Sequence, residues 1–139
     1  MNHFVGVLHT AKTETTGDRD DGTSRSSDGL LDIRLSAPGS ARIGTSPDQL
    51  FAAGWSASFA NAIALAACKR NIALTAKVRI DAEVDLALGF GGYLLTTRLN
   101  VRLPGVERNV ARNLVDGAEK ICPYSKATRG NIAVTIKLT

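Results

Sequence analysis

Hydrophobic and polar residues alternate along several short stretches of the chain. This alternation predicts β-strands over residues 3–12, 30–35, 74–86, 93–103 and 131–138. Polar, turn-rich segments at residues 16–29 and 37–45 predict loops. The third and fourth strands are joined by the short segment Gly89-Phe-Gly-Gly92, which predicts a tight turn and therefore a hairpin.

Two longer stretches have helical spacing. The first begins at a clear start signal, in which Ser46 is the N-cap, Pro47 the first helical residue and Asp48 an acid in the first turn. This helix is predicted to run to about Arg70 and to be closed by Asn71. A second, amphipathic helix is predicted over residues 106–121, with the following Cys-Pro turn as its stop.

Strands and helices do not alternate regularly, so the pattern predicts a single α+β domain over residues 1–139. The first helix is apolar on nearly every side and must be covered all round. A chain of this size with two helices covers it poorly. That predicts a homodimer in which two such helices are buried together.

Composition and charge narrow the function classes. The net charge is +4, but the basic residues are scattered and are not interleaved with aromatic residues, so nucleic-acid binding is not expected. Residues 50–68 form an uncharged run of 19, whose Ala, Gly, Ser and Asn content favours a buried helix over a membrane span. The N-terminus has no signal-peptide pattern, and two cysteines make no disulfide framework. A cytoplasmic protein is expected.

The helix and the Cys-Pro turn carry a resemblance to a known family. Ser46-Pro-Asp-Gln-Leu-Phe-Ala-Ala-Gly-Trp-Ser-Ala-Ser-Phe59 resembles the first motif of the organic hydroperoxide resistance proteins, and Ile121-Cys-Pro-Tyr-Ser-Lys-Ala-Thr-Arg-Gly-Asn131 is similar to their second. Thr16-Gly-Asp-Arg19 and Ser27-Asp-Gly29 match the N-terminal pattern of the family. The resemblance covers essentially the whole chain and places it in the broader OsmC superfamily.

This resemblance implies a fold and a chemistry. The expected fold is an intertwined homodimer whose antiparallel sheets wrap two central helices. Family members reduce organic hydroperoxides with a peroxidatic cysteine and a resolving cysteine. A dihydrolipoyl group, often on a lipoylated protein, is the external reductant, so no bound cofactor and no metal are expected.

Carried over, the resolving cysteine is Cys122, while Arg19 and the carboxylate of Asp48 would hold the peroxidatic thiol as a thiolate. The peroxidatic position is Ser58, where the family has cysteine. A serine hydroxyl is far less acidic than a thiol and cannot form a sulfenic acid. The chain is therefore expected to be nearly inactive as a peroxidase. We favour an engineered replacement at this position over a naturally non-redox paralogue that binds hydrophobic ligands.

Each of these residues also has a plainer interpretation. Ser58 could simply bond back to its own helix, and as a hydrolase nucleophile it lacks a base, since the histidines are His3 and His9. Those two histidines without a third ligand make a weak metal site. Arg19 could be a solvated loop charge and Asp48 a helix-dipole partner. On a straight helix, Asp48 and Ser58 are about 15 Å apart, so either the helix bends near Gly54 or the site draws on two subunits.

The remaining candidates are apolar residues and thiols. Cys68 is expected to be a small buried residue. Cys122 is either an inert core thiol or, because it lies at the proline turn, a partly accessible and reactive one. Four aromatic residues are expected in the core: Phe51, Trp55, Phe59 and Phe90. Of these, Phe51, Trp55 and Phe59 are the candidates to bind substrate, by lining a pocket for bulky alkyl peroxides. Another substrate within the OsmC superfamily also stays open.

Overall fold

The computed structural model describes residues 5–139, which fall into two compact units, residues 5–47 and 48–139. The first unit holds a small antiparallel sheet of three strands in sequence order: β1 (Thr13–Thr16), β2 (Thr23–Ser26) and β3 (Asp32–Arg34). The prediction of one domain over the whole chain stays a prediction.

The predicted strands in the first unit needed correction. Residues 5–12 are not a strand, while residues 3 and 4 lie outside the described part. The strand β1 starts directly after the predicted strand of residues 3–12. The strand β2 lies inside residues 16–29, which were predicted to be a loop. The sequence of β2, Thr-Ser-Arg-Ser, lacks the hydrophobic alternation used to find strands. Its pairing with β1 and β3 accounts for its conformation.

The second unit starts with the long helix α1 (Pro47–Lys69), as the start signal predicted. Asn71 closes it in the left-handed conformation, with φ of 55°. The N–H groups of Asn71 and Ile72 donate to the carbonyls of Cys68 and Ala67, at 3.1 and 2.9 Å. This is the Schellman arrangement that ends many helices.

A hairpin of two strands follows, β4 (Arg79–Gly89) and β5 (Gly92–Arg102), in antiparallel register with Gly89 opposite Gly92. The guanidinium of Arg98 and the hydroxyl of Thr96 donate across the pair to Asp85, and they hold the pKa of this carboxyl well below its usual range. The prediction of a strand from residue 74 was wrong at its start, because residues 74–78 are irregular.

Two helices and one strand complete the second unit: α2 (Arg108–Ile121), α3 (Pro123–Thr128) and β6 (Ala133–Leu138). The strand β6 pairs with β5 in parallel, with Thr96 opposite Ala133, which corrects the expectation of purely antiparallel sheets. A parallel pair needs a crossover connection, which here runs through α2 and α3.

The core of the second unit lies among α1, α2 and the sheet of β4, β5 and β6. The buried side chains of α1 follow one helical stripe, and most of the other core residues come from β5 and α2. The full set of buried core residues is Trp55, Phe59, Ala62, Ile63, Ala66, Ala67, Leu99, Val101, Leu103, Ala111, Leu114, Val115, Ala118 and Cys122. In the described chain α1 is the one helix long and apolar enough to span a membrane, and a core helix passes the same test. Its buried stripe fits the core interpretation.

Candidate functional site

Ser58 and Cys122 meet in the second unit. The thiol of Cys122 donates to the hydroxyl of Ser58, with a distance of 3.7 Å between Sγ and Oγ. The two residues are 64 positions apart in the sequence, so the fold brings them together. This is the juxtaposition that the two motifs implied.

Cys122 lies at the corner between α2 and α3. It has extended backbone, with ψ of 122°, because the ring of Pro123 disfavours the helical conformation at the preceding residue. Its N–H donates to the carbonyl of Ala118 and its own carbonyl accepts from Lys126, so both helices hold it in place. The side chain is fully buried, which corrects the expectation of a partly accessible thiol.

Ser58 faces this corner from the middle of α1. Its hydroxyl oxygen accepts the bond from Cys122, where the plainer interpretation expected only a bond from Ser58 back to its own helix. The neighbouring Ser56 makes that local bond instead, with its hydroxyl 2.8 Å from the carbonyl of Ala52. Two serines on one helix therefore have different partners, and the hydroxyl that contacts a thiol is that of Ser58.

An aromatic cluster lies on the N-terminal side of Ser58. The ring of Phe51 meets Trp55 edge-on with centroids 5.5 Å apart, and it meets Tyr124 with centroids 6.3 Å apart. Gly54 permits this approach, because a Cβ at that position would lie 3.1 Å from the hydroxyl of Tyr124. We did not predict Tyr124 from the sequence. A glycine inside a helix, which costs stability, was the signal that another group packs closely there.

The three aromatic residues predicted to bind substrate differ in exposure. Trp55 and Phe59 are buried in the core, while Phe51 is partly buried. Phe51 thus has surface left for a ligand, and Trp55 and Phe59 have almost none. Phe90 is fully exposed at the turn of the β4–β5 hairpin, so the prediction that it belongs to the core was wrong for the single chain.

Arg19 lies in the first unit, in a turn closed by the bond from the N–H of Gly22 to the carbonyl of Asp18. Its Nε is 3.2 Å from a carboxylate oxygen of Asp20, and both side chains are about half exposed or more. The N–H of Asp20 donates to the carboxylate of Asp18 and lowers the pKa of that carboxyl. A role for Arg19 beside position 58 stays a prediction.

Asp48 lies in the first turn of α1, and this helix continues through Gly54 without a break. Ten residues separate Asp48 from Ser58, which is about 15 Å along the axis. Cys68, expected to be buried, is exposed near the end of the same helix. Among residues 5–139, no three His, Cys, Asp or Glu side chains form a metal-binding group, and His3 lies outside that range.

Fold and site together define a mixed α+β chain with a serine and a cysteine paired at its core. The chain matches the family of OsmC-like proteins over residues 37–137. It is 42% identical over 136 residues to an organic hydroperoxide resistance protein of Xanthomonas axonopodis pv. citri, with 95% of each chain covered.

Two crystal structures have the same fold. The organic hydroperoxide resistance protein OhrB of Bacillus subtilis is 38% identical, with a TM-score of 0.89 over 96% of this chain and 100% of the other. An organic hydroperoxide resistance protein of Legionella pneumophila is 36% identical, with a TM-score of 0.90 over 96% and 99%. The chain therefore belongs to the OsmC-like family, in the branch that holds the organic hydroperoxide resistance proteins, and the expected α+β, OsmC-like fold of the single chain is confirmed.

Proposed function

We propose that this site is built for the thiol-dependent reduction of organic hydroperoxides, and that the chain with Ser58 is nearly inactive in that reaction. The observation that carries the proposal is the 3.7 Å contact between Oγ of Ser58 and Sγ of Cys122. A disulfide needs its sulfur atoms about 2.05 Å apart. Side-chain rotation and a small backbone adjustment would bring two sulfur atoms that close from the observed contact.

The proposed chemistry with cysteine at position 58 proceeds in three steps. The thiolate attacks one oxygen of the hydroperoxide, the O–O bond breaks and, with a proton, the alcohol leaves. The sulfenic acid at position 58 is then attacked by the thiol of Cys122, which releases water and forms a disulfide. An external dithiol of the dihydrolipoyl type reduces this disulfide and is itself oxidised.

Ser58 blocks the first of these steps. Its hydroxyl stays protonated near neutral pH, and oxygen cannot form the sulfenic acid that Cys122 must attack. The second candidate, a non-redox paralogue that binds hydrophobic ligands, rests on the same substitution. The partly exposed Phe51 and Tyr124 beside Ser58 would form its apolar surface. A serine codon at this position in the source genome would favour a natural paralogue over an engineered replacement.

The test is to replace Ser58 by cysteine and add one equivalent of an alkyl hydroperoxide. We expect the intact mass of the variant to fall by two hydrogens, and peptide mapping to link position 58 to Cys122. The double variant Ser58→Cys, Cys122→Ser is the control, and it should instead gain one oxygen or a sulfenic-acid label. A folded single variant that keeps both thiols reduced would contradict the peroxidase proposal.

Homodimer formation belongs to the same proposal. The end of the β4–β5 hairpin exposes an apolar group that a single chain leaves in water: Leu86, Leu88, Phe90, Tyr93 and Leu94. The face of α1 opposite its buried stripe is also mostly apolar, with Leu65 half exposed. Exposed apolar patches of this kind mark interfaces. In a dimer, Arg19 and Asp48 of one subunit could lie close to the Ser58–Cys122 pair of the other.

We expect Phe90→Asp to weaken the dimer. A charge placed at the centre of an apolar interface removes a large contact and must be desolvated, so the dissociation constant should rise by on the order of 100-fold. Light scattering after size exclusion measures the mass across a dilution series. Asn109→Asp, which adds the same charge at an exposed polar position of α2, is the control and should stay dimeric. A wild-type chain that is monomeric at micromolar concentration would refute this part.

The location and partners follow from the same chemistry. We propose a cytoplasmic enzyme, since thiols are kept reduced in that compartment and a dithiol reductant can act there. The substrates would be alkyl and lipid hydroperoxides, which suit the aromatic cluster beside Ser58 better than hydrogen peroxide does.

A further inference from the structure

The second unit contains a cavity that neither Ser58 nor Cys122 lines. Its volume is about 210 Å³, and it lies between α1, α3 and β6. Trp55 contributes to its wall from α1, three residues before Ser58. Ser125 contributes from α3, three residues after Cys122. The cavity therefore borders the proposed redox site but is separate from it.

Two of the side chains in this wall bury a polar atom that has no partner. Nε1 of Trp55 and Oγ of Ser125 make no hydrogen bond, although the two residues are only 1% and 5% exposed. Buried polar groups in folded proteins are nearly always paired, so each exception needs an explanation. The indole N–H can only donate, and the serine hydroxyl can also donate. Both atoms have almost no accessible surface, so a ligand in the cavity that accepts hydrogen bonds would satisfy them after a small shift of the two side chains.

The mouth of the cavity carries one cation and one anion. Arg129 donates from Nη2 to the backbone carbonyl of Glu119 at 2.7 Å, and its other N–H groups bond to nothing else in the described chain. The carboxylate of Glu119 is on the exposed rim. The guanidinium favours an anionic ligand, while the neighbouring carboxylate disfavours a second negative charge on it.

The remaining wall is partly apolar and the space is small. Ile132 lines it just before β6 and Val134 lines it from β6 itself, while the hydroxyl of Thr128, also in the wall, already donates to the carbonyl of Tyr124. A volume of about 210 Å³ is below the range of drug-sized pockets, about 300–1,000 Å³. A ligand of this size has a polar head and an apolar chain of only a few carbons.

We propose that this cavity binds a small monocarboxylate with a short aliphatic chain. The carboxylate accepts hydrogen bonds from Nε1 of Trp55, Oγ of Ser125 and the guanidinium of Arg129, and the chain lies against Ile132 and Val134. The site goes beyond the proposed peroxidase function, because it uses no thiol. Its test is independent of whether position 58 is serine or cysteine.

The experiment uses the fluorescence of Trp55, which is the single tryptophan in the chain and lies in the cavity wall. Sodium butanoate is titrated into the full chain at constant ionic strength. We expect a saturable change in emission, and a weaker response to butanamide, which lacks the charge, and to succinate, which carries two. Ser125→Ala and Arg129→Gln should each raise the dissociation constant about tenfold, because each loses one donor to the carboxylate.

Lys126→Gln is the matched control, since Lys126 is an exposed cation of α3 that does not line the cavity. It should bind butanoate as the unmodified chain does. Circular dichroism establishes that each variant is folded. The proposal is overturned if the unmodified chain shows no saturable change, which would mean that water alone fills the cavity. It is also overturned if Lys126→Gln weakens binding as much as Arg129→Gln.

Discussion

Ser58→Cys is expected to raise the rate of alkyl hydroperoxide reduction by on the order of 1,000-fold or more, since removal of a nucleophile costs other enzymes at least that much. A cysteine thiol with a pKa near 8.5 is a few per cent thiolate at neutral pH, and a nearby cation increases that fraction. The hydroxyl of Ser58 has no comparable deprotonated fraction at neutral pH. The nucleophile of the second step, the thiol of Cys122, is already in contact, because its Sγ is 3.7 Å from the hydroxyl that the new sulfur replaces.

The measurement is steady-state consumption of cumene hydroperoxide with dihydrolipoamide as reductant. Ser56→Cys is the matched control: it places the same sulfur on the same helix, where the native hydroxyl bonds to the carbonyl of Ala52 and not to a thiol. We expect Ser56→Cys to remain as slow as the unmodified chain. Equal rates for the two variants would show that any added thiol suffices and that the contact with Cys122 has no catalytic role. A Ser58→Cys variant that prefers hydrogen peroxide would instead indicate an OsmC-like relative with another substrate.

The elements that could be predicted from the sequence are those with strong local signals. Ser46 and Pro47 marked the start of α1, and Asn71 marked its end, because capping and left-handed closure depend on neighbouring residues. The β4–β5 hairpin was predictable for the same reason: the strict alternation of residues 77–86 and the short glycine-containing turn between Gly89 and Gly92 are local signals.

The elements that were missed depend on contacts between distant segments. The polar strand β2 has no hydrophobic pattern and takes its conformation from its neighbours β1 and β3. The short helix α3 begins at Pro123. The proline was interpreted only as the end of α2, although a proline can also begin a helix. The parallel pairing of β6 depends on how the chain crosses over α2 and α3, which no local pattern determines.

The site divides in the same way. Periodicity placed Trp55 and Ser58 on one helix, but it could not bring Cys122 to Ser58 across 64 residues. The resemblance of the two motifs supplied that pairing, and the structure shows the contact. Tyr124 was missed because its neighbour Gly54 belongs to a different helix, and their proximity is a property of tertiary packing.

Phe59→Ala is expected to destabilise the chain by about 3–5 kcal/mol and to affect substrate use only through loss of folded protein. The ring of Phe59 is completely buried among α1, α2 and the sheet, so its removal leaves a cavity in a close-packed core. Phe59→Leu, which retains most of the volume, should cost less than about 1.5 kcal/mol. Urea unfolding followed by the fluorescence of Trp55 measures both, at one protein concentration because dimer formation would couple stability to concentration.

Phe51→Ala separates packing from substrate binding. Phe51 is only partly buried and contacts Trp55 and Tyr124 edge-on, so its loss should destabilise the chain by clearly less than the loss of Phe59. In the Ser58→Cys background it should raise KM for cumene hydroperoxide severalfold more than KM for tert-butyl hydroperoxide, since the larger substrate loses more apolar contact. If Phe59→Ala alters this KM ratio and Phe51→Ala does not, the substrate meets the deeper ring, and α1 must open to admit it.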